Sequence, residues 1–163
     1  MLGIGSIDAC LQRLAADDLI VMDAIVDNPV GAYPITMEKT PHKIILNGHD
    51  IYAMCALDAV AIAPMFDADV QINSRCQASG TPISIRMRGS NILNAHPGPD
   101  ITIGIRWQMP TGVAAHSMCL QMVFLEHQKT AISWQTGDPE NISLFSLPEA
   151  VEFGKRFFSP LLQ

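Results

Sequence analysis

The segment AMCALDAVAIAPMF, residues 53–66, constrains the fold more than any other part of the chain. It is dominated by alanine and other apolar residues, and its only polar chemistry is that of Cys55 and Asp58. Its composition predicts a helix over about 52–63, ended by Pro64, which lacks an amide hydrogen and disfavours helical geometry in the residue before it. A helix that is apolar all round has no face for solvent, so we expect it to be buried.

Asp58 is the exception within this apolar helix. An isolated ionised carboxylate in such surroundings carries a large desolvation cost, so the side chain is either paired or used in chemistry. Cys55 and Asp58 are three positions apart, which places both on one face of a helix. Spacing alone leaves a buried thiol beside a capped or partly exposed aspartate as an equal alternative. The absence of polar neighbours favours an Asp58 that faces a cavity, with its pKa raised by desolvation.

The segments that follow predict an α+β fold with small antiparallel sheets surrounded by helices. Asn47-Gly48 lies between two apolar runs, which is a strong signal for a type I′ hairpin leading into the buried helix. Alternating apolar residues predict half-buried strands over 82–88 and 101–109. The stretch SMCLQMVFL, which contains Cys119, continues this pattern and is predicted to be a further strand. The final stretch LPEAVEFGKRFFSPLL is predicted to be an amphipathic helix.

The N-terminal part of the sequence resembles a helix followed by a wing. Residues 7–18 predict a short amphipathic helix, and two β-prone runs separated by turn residues follow over 19–36. We find one plausible subdivision, near Thr40-Pro41. The expectation is therefore a partial winged-helix-like segment over 1–40 and a core over 41–163.

Composition excludes several classes of protein. A net charge of −6, with lysine and arginine scattered along the chain, opposes affinity for nucleic acid. No apolar run approaches the roughly 18 residues that a membrane helix needs, so we expect a soluble protein that does not bind membranes. The first residues show no signal for export, which favours the cytoplasm. In that compartment the four cysteines, none of them in a Cys-x-x-Cys motif, are expected to be reduced thiols.

The remaining cysteines and the histidines offer weaker signals. Cys76 precedes a turn and is expected to be a small buried residue. We find no candidate ligand or catalytic partner for Cys10 in the sequence. The methionines near Cys55 and Cys119, including Met54, are more simply explained as core filler than as ligands. No two of the five histidines have the short spacing of a zinc site. His116 lies close to Cys119 and could tune its thiol, although a solvated loop histidine is the simpler interpretation.

Taken together, Cys55-Ala-Leu-Asp58, a cysteine ahead of SGTP, and the Ser-x-Cys of the later predicted strand resemble the organomercurial (alkylmercury) lyase family. The resemblance runs from about YPITMEKTPHKI to the end of the chain. It implies that Cys55, Asp58 and Cys119 form an active site that holds mercury, and that Cys76 is structural. Family members commonly carry a fuller winged-helix-like region ahead of the core. Some have tryptophan where this chain has Met54, so the pocket wall differs here.

The resemblance implies a lyase that detoxifies organomercurials. Two thiolates, from Cys55 and Cys119, would bind the soft metal, and Asp58 would accept a thiol proton and deliver it to carbon as a general acid. The products would be a hydrocarbon and Hg(II), which passes to cytosolic thiols or to a mercuric reductase. No organic cofactor is required.

Two other functions remain open from the sequence. A mercury- or copper-binding delivery protein could use the same soft ligands without breaking a bond. A copper-binding family of this type of fold consists of exported lipoproteins, whereas this chain shows no lipobox. A winged-helix regulator that senses metal would use the N-terminal part, but the acidic charge and the single N-terminal helix argue against it.

Overall fold

The computed structural model describes residues 6–162 and confirms the α+β class. The described α-helices are α1 (Ile7–Ala16), α2 (Ala56–Phe66), α3 (Gln128–Gln135) and α4 (Leu147–Phe158). Short 3₁₀ helices occupy Ala114–His116, Met118–Gln121 and Ser159–Leu162. Within the described range no helix is long and apolar enough to cross a membrane.

The strands form two antiparallel sheets. They are β1 (Ile20–Met22), β2 (Pro29–Ala32), β3 (Ile35–Thr36), β4 (Lys43–Leu46), β5 (His49–Ala53), β6 (Asp69–Arg75), β7 (Pro82–Arg88), β8 (Asn91–His96), β9 (Thr102–Arg106), β10 (Met122–Leu125) and β11 (Ile142–Ser146). The larger sheet has eight strands in the order β1-β2-β3-β5-β4-β6-β7-β8, and the smaller has the order β10-β9-β11. The N-terminal strands β1, β2 and β3 extend the larger sheet at the edge of β5.

The predicted hairpin at Asn47-Gly48 is present and connects β4 to β5. Both turn residues have positive φ, 50° at Asn47 and 80° at Gly48, as a type I′ turn requires. Leu46 and His49 are paired directly across the turn. The hairpin directs the chain toward the start of α2.

The N-terminal part contains the predicted helix and wing. Ser6 caps α1 by accepting a hydrogen bond from the Ala9 backbone N–H at 3.3 Å, and β1 pairs with β2. Strand β3 then hydrogen bonds to β5, with Ile35 opposite Ala53. The wing is therefore continuous with the larger sheet. The division into 1–40 and 41–163 stays a prediction.

Helix α2 is buried as predicted, but its ends are not where the sequence pattern placed them. Residues 56–63 are all buried, and the helix packs against α4 and against strands β5, β6, β7 and β10. Tyr52 belongs to β5, because pairing with β4 outweighs the local helix propensity. Pro64 lies inside the last turn, and the helix ends at Phe66, followed by the C-cap residue Asp67 with φ 46°. Proline removes one N–H donor, and the helix ends within a turn of it.

Strand β9 is the buried centre of the smaller sheet. Ile101, Ile103 and Ile105 are fully buried, as the alternation predicts. The expectation of a half-buried strand over 101–109 is wrong, because the strand ends at Arg106 and the intervening Gly104 is also covered. Trp107 and Met109, which lie beyond its end, are exposed. A Cβ atom on Gly104 would lie 2.5 Å from Cζ3 of Trp134, which packs directly over the strand.

Candidate active site

Cys55 sits at the junction between β5 and α2. Its backbone is extended, and its Sγ accepts a hydrogen bond from the Asp58 backbone N–H at 3.3 Å, so Cys55 is the N-cap of the helix rather than a residue within it. It is 1 % exposed. Burial raises the pKa of the Cys55 thiol, and contact with Cys119 and the charge of Asp58 raise it further. The free thiol is therefore neutral until something replaces its proton.

Asp58 occupies the first turn of α2 and is 2 % exposed. Its Oδ2 atom has no hydrogen-bond partner among the described residues. Burial raises the pKa of Asp58 to about 7, although hydrogen bonds with Cys55 act to lower it. The carboxyl group can therefore hold or release a proton near neutral pH, as its apolar surroundings predicted.

Cys119 lies on the 3₁₀ helix Met118–Gln121, not on a strand. Strand β10 begins only at Met122. Ser117, which precedes the helix, stabilises the turn because its Oγ accepts from the Thr111 N–H at 3.2 Å and donates to the Val113 carbonyl at 2.9 Å. The alternation of polar and apolar residues over 117–122 therefore reflects a buried turn that leads into a strand.

These three side chains meet at one point. One ligand atom from each of Cys55, Asp58 and Cys119 lies within 4.8 Å of the other two, and this is the one such group of three across residues 6–162. The Cys55 thiol also donates to Met122 Sδ at 3.6 Å. Two buried sulfurs and a carboxyl oxygen form a site suited to a soft metal.

Tyr33 is a half-buried neighbour of this site that the sequence analysis missed. Its hydroxyl has no hydrogen-bond partner within the described structure. Burial raises the pKa of Tyr33, and the charges of Cys119, Asp18 and Asp58 raise it further, so the phenol stays protonated. No local pattern marks Tyr33, because it comes from the wing and reaches the site through the fold.

The other candidate residues lie apart from the three-residue group. Cys76 is buried at the end of β6, and its N–H donates to the Thr81 carbonyl at 2.8 Å. Its structural role stays a prediction. Cys10 is an exposed thiol on α1, and all four cysteines are free thiols. His116 pairs with Glu38 at 3.0 Å, which supports the simpler interpretation of a loop histidine.

Two cavities meet at Cys119. The first, which we name the aromatic cavity, has a volume of about 390 Å³. Its walls include Tyr33, Asp58, Trp107, Phe153, Phe157 and Phe158. The second, the basic cavity, has a volume of about 470 Å³. Its walls include Lys39, His42, Met54, Arg75 and His116. Cys119 and Met122 line both cavities, whereas Cys55 lines neither.

The α+β fold brings two thiols and a carboxyl group together in its core, a set of ligands that could hold a soft metal ion. The chain belongs to the alkylmercury lyase family, because residues 35–159 match the family model "MerB: Alkylmercury lyase".

Individual relatives agree with this family. The chain is 24% identical over 145 residues to an alkylmercury lyase of Staphylococcus epidermidis, which covers 89% of this chain and 64% of the relative. It is 26% identical over 137 residues to one of Pseudomonas putida, which covers 79% of this chain and 60% of that protein. The chain thus spans less than two thirds of the length of these relatives.

A solved structure has the same fold. The crystal structure of the mercury-bound form of MerB2 superposes with a TM-score of 0.83 at 24% identity, covering 99% of this chain and 78% of that chain. This similarity supports the α+β architecture described above.

Proposed function

We propose that the chain is an organomercurial lyase that cleaves a carbon–mercury bond by protonolysis. The observation that carries the proposal is the convergence of Cys55, Asp58 and Cys119 within 4.8 Å in the buried core. The family supports the same reaction class. The substrate would be an organomercurial, and no organic cofactor is needed.

The two thiols would bind mercury in turn. Cys119 lines both cavities and Cys55 lines neither, so we expect the substrate to meet Cys119 first. A soft metal deprotonates a thiol that coordinates it, which overcomes the raised pKa of Cys55. Two thiolates would donate electron density to mercury and so weaken its bond to carbon.

Asp58 would supply the proton that replaces mercury on carbon. It lines the aromatic cavity, whose apolar walls suit the organic group. One thiol proton passes to Asp58 and then to the carbon atom, and the second leaves to solvent. Thus RHg⁺ and two thiols give RH, mercury bound to two cysteine sulfurs, and one H⁺. A pKa of about 7 allows Asp58 both to accept and to deliver this proton near neutral pH.

The proposal is tested by incubation with methylmercury and excess thiol while methane is measured. Asp58→Asn is nearly isosteric but cannot shuttle a proton, so cleavage should fall by roughly 10²- to 10⁴-fold, the usual scale of general acid–base catalysis. Binding of Hg(II) should be retained. Asp100→Asn is the matched control, because Asp100 is exposed and lines neither cavity.

Each outcome has a distinct meaning. Methane from the wild type and very little from Asp58→Asn supports the mechanism. Equal methane from both would keep the enzyme and remove Asp58 from its chemistry. Mercury binding without methane from the wild type would instead support a soft-metal delivery protein.

The partners of the protein and its location in the cell are also part of the proposal. Hg(II) would pass to cytosolic thiols or to a mercuric reductase, in the cytoplasm. The net charge of −6 makes nucleic acid an unfavourable partner. A gel shift on mixed DNA duplexes at moderate salt should show no tight complex.

A further inference from the structure

The two cavities that share Cys119 differ sharply in charge. The aromatic cavity is lined by Asp17, Asp18 and Asp58, and none of the described residues in its walls is basic. The basic cavity is lined by Lys39 and Arg75 together with two histidines and one acid, Glu38. The Cys119 thiol is thus reached from an acidic, apolar side and from a basic, polar side.

The basic cavity keeps a net positive charge, because Lys39 and Arg75 outnumber Glu38 in its walls. Glu38 lies 3.0 Å from His116, and Arg75 donates to the Gly80 carbonyl at 3.2 Å rather than to a carboxylate. Lys39 is exposed and has no ion-pair partner among the described residues. His42 is buried, and burial lowers its pKa to about 4, so it is neutral.

We propose that the basic cavity binds a small thiol that carries a carboxylate, and that this thiol removes Hg(II) from the protein by attacking at Cys119. The inference rests on the proposed lyase function, since it concerns the mercury that remains after cleavage. It assigns the organic group and the departing metal to different sides of the same cysteine. The aromatic cavity would admit substrate, and the basic cavity would admit the acceptor.

The exchange conserves atoms and charge. The thiol RSH enters and forms an S–Hg bond as the bond between mercury and Cys119 breaks, and its proton goes to the Cys119 sulfur. A second RSH then displaces Cys55 in the same way, giving RS–Hg–SR and two protein thiols. Cys119 should be exchanged first, because it lines the basic cavity and Cys55 does not.

Charge decides between the two entrances for such a thiol. In the walls of the aromatic cavity Asp17 is paired with Arg13 at 2.7 Å. An anion there is therefore disfavoured by Asp18 and, when it is ionised, by Asp58. Lys39 and Arg75 favour an anion in the basic cavity. A single exposed charge pair interacts weakly in water and is screened by salt. We therefore expect a selectivity of several-fold rather than an absolute requirement.

The experiment uses the full chain loaded with one Hg(II) and measures the rate of mercury release to three small thiols. These are 3-mercaptopropionate, 2-mercaptoethanol and cysteamine, which are anionic, neutral and cationic. Each rate is compared between wild type and Lys39→Gln with the same thiol, so that differences in thiol reactivity cancel. Lys129→Gln is the matched control, because Lys129 is exposed and lines neither cavity.

We expect Lys39→Gln to slow release to mercaptopropionate by about three- to fivefold at low salt. Release to mercaptoethanol should be unchanged, release to cysteamine should rise, and the differences should shrink at high salt. Lys129→Gln should behave as wild type. Combining Lys39→Gln with Arg75→Gln should enlarge the effect on the anionic thiol.

Equal changes for all three thiols, or none in the double variant, would overturn the inference. So would a Lys39→Gln variant that loses methane formation in a single turnover without altered mercury release, because the basic cavity would then serve the substrate. Methane formation is measured in parallel. If methane forms but release shows no charge selectivity, this inference fails alone. If the protein neither forms methane nor retains Hg(II), both proposals fail.

Discussion

The Cys55 thiol caps the helix that carries Asp58, with 3.3 Å between Sγ and the Asp58 backbone nitrogen. A proposed metal ligand therefore also satisfies one of the free N–H groups at the start of α2. The cap holds the sulfur and the carboxyl group in a fixed relation. Any change at Cys55 thus acts on both the stability of the helix and the chemistry of the site.

Serine and alanine at position 55 should separate these two roles. A serine hydroxyl caps a helix well, so Cys55→Ser should remain close to wild type in stability, while Cys55→Ala should lose about 1 kcal/mol. Both should lose most cleavage activity, because neither offers a soft ligand. Urea unfolding and methane release are the two measurements. Cys119→Ser should be equally inactive, and near-normal turnover in both serine variants would disprove the two-thiol mechanism.

The stability of the protein should show opposing pH effects from Asp58 and His42. Asp58 has a folded pKa of about 7, above its ordinary value of 3.8, so its contribution to the unfolding free energy is lost as pH rises between these values. His42 has a folded pKa of about 4, below 6.5, so its contribution is lost as pH falls through that range. The two effects nearly cancel in the wild type between pH 4 and 6.5.

Asp58→Asn should therefore expose the His42 effect. Relative to wild type, the variant should lose up to about 1.4 kcal/mol of unfolding free energy per pH unit as pH falls from 6.5 toward 4. Urea unfolding at four pH values checks this, with Asp100→Asn as the control. Parallel curves for wild type and Asp58→Asn would show that Asp58 does not hold its proton in the folded state.

Cys76 should matter for stability more than for chemistry. It is 2 % exposed and packs in the main core. Cys76→Ala removes one buried heavy atom, so we expect a loss of about 1 kcal/mol in unfolding free energy. Activity per folded molecule should stay close to wild type. A fully stable but inactive Cys76→Ala would contradict the structural role.

Gly104 should tolerate no side chain. A Cβ at this position would lie 2.5 Å from Trp134 Cζ3 and 3.0 Å from Leu125 Cδ1. Gly104→Ala should therefore cost about 1 to 3 kcal/mol through overpacking. Gly98→Ala is the matched control, because nothing lies within 4 Å of its Cβ position. Equal stability of the two variants in urea would show that Trp134 moves aside easily.

The features predicted well from the sequence are those that depend on local pattern. Asn47-Gly48 specifies its turn through backbone conformation alone, and the uninterrupted apolar run of α2 could only be buried. The sequence pattern places the start of α2 too early, because Tyr52 has a strand partner that no local signal shows. The pattern also predicts a strand at Cys119, because polar and apolar residues can alternate in a buried turn as they do in a strand.

The surroundings of the site could not be predicted in the same way. Tyr33 comes from the wing, and the two cavities are formed by segments that are distant in the chain. The types of the three central residues were sufficient to indicate their chemistry. The residues around them depend on how the sheets pack, and the spacing of residues along the sequence does not indicate that packing.

The two cysteines belong to different layers of the protein, since Cys55 follows a strand of the larger sheet and Cys119 precedes a strand of the smaller one. A mercury ion bonded to both would tie these layers together as a disulfide does, closing a loop of roughly 65 residues. A crosslink that closes such a loop lowers the conformational entropy of the unfolded chain, which stabilises the folded state by about 4 kcal/mol. The product-loaded protein should thus melt at a higher temperature and resist proteases longer. A small-molecule thiol that takes the metal would also remove the crosslink and this added stability.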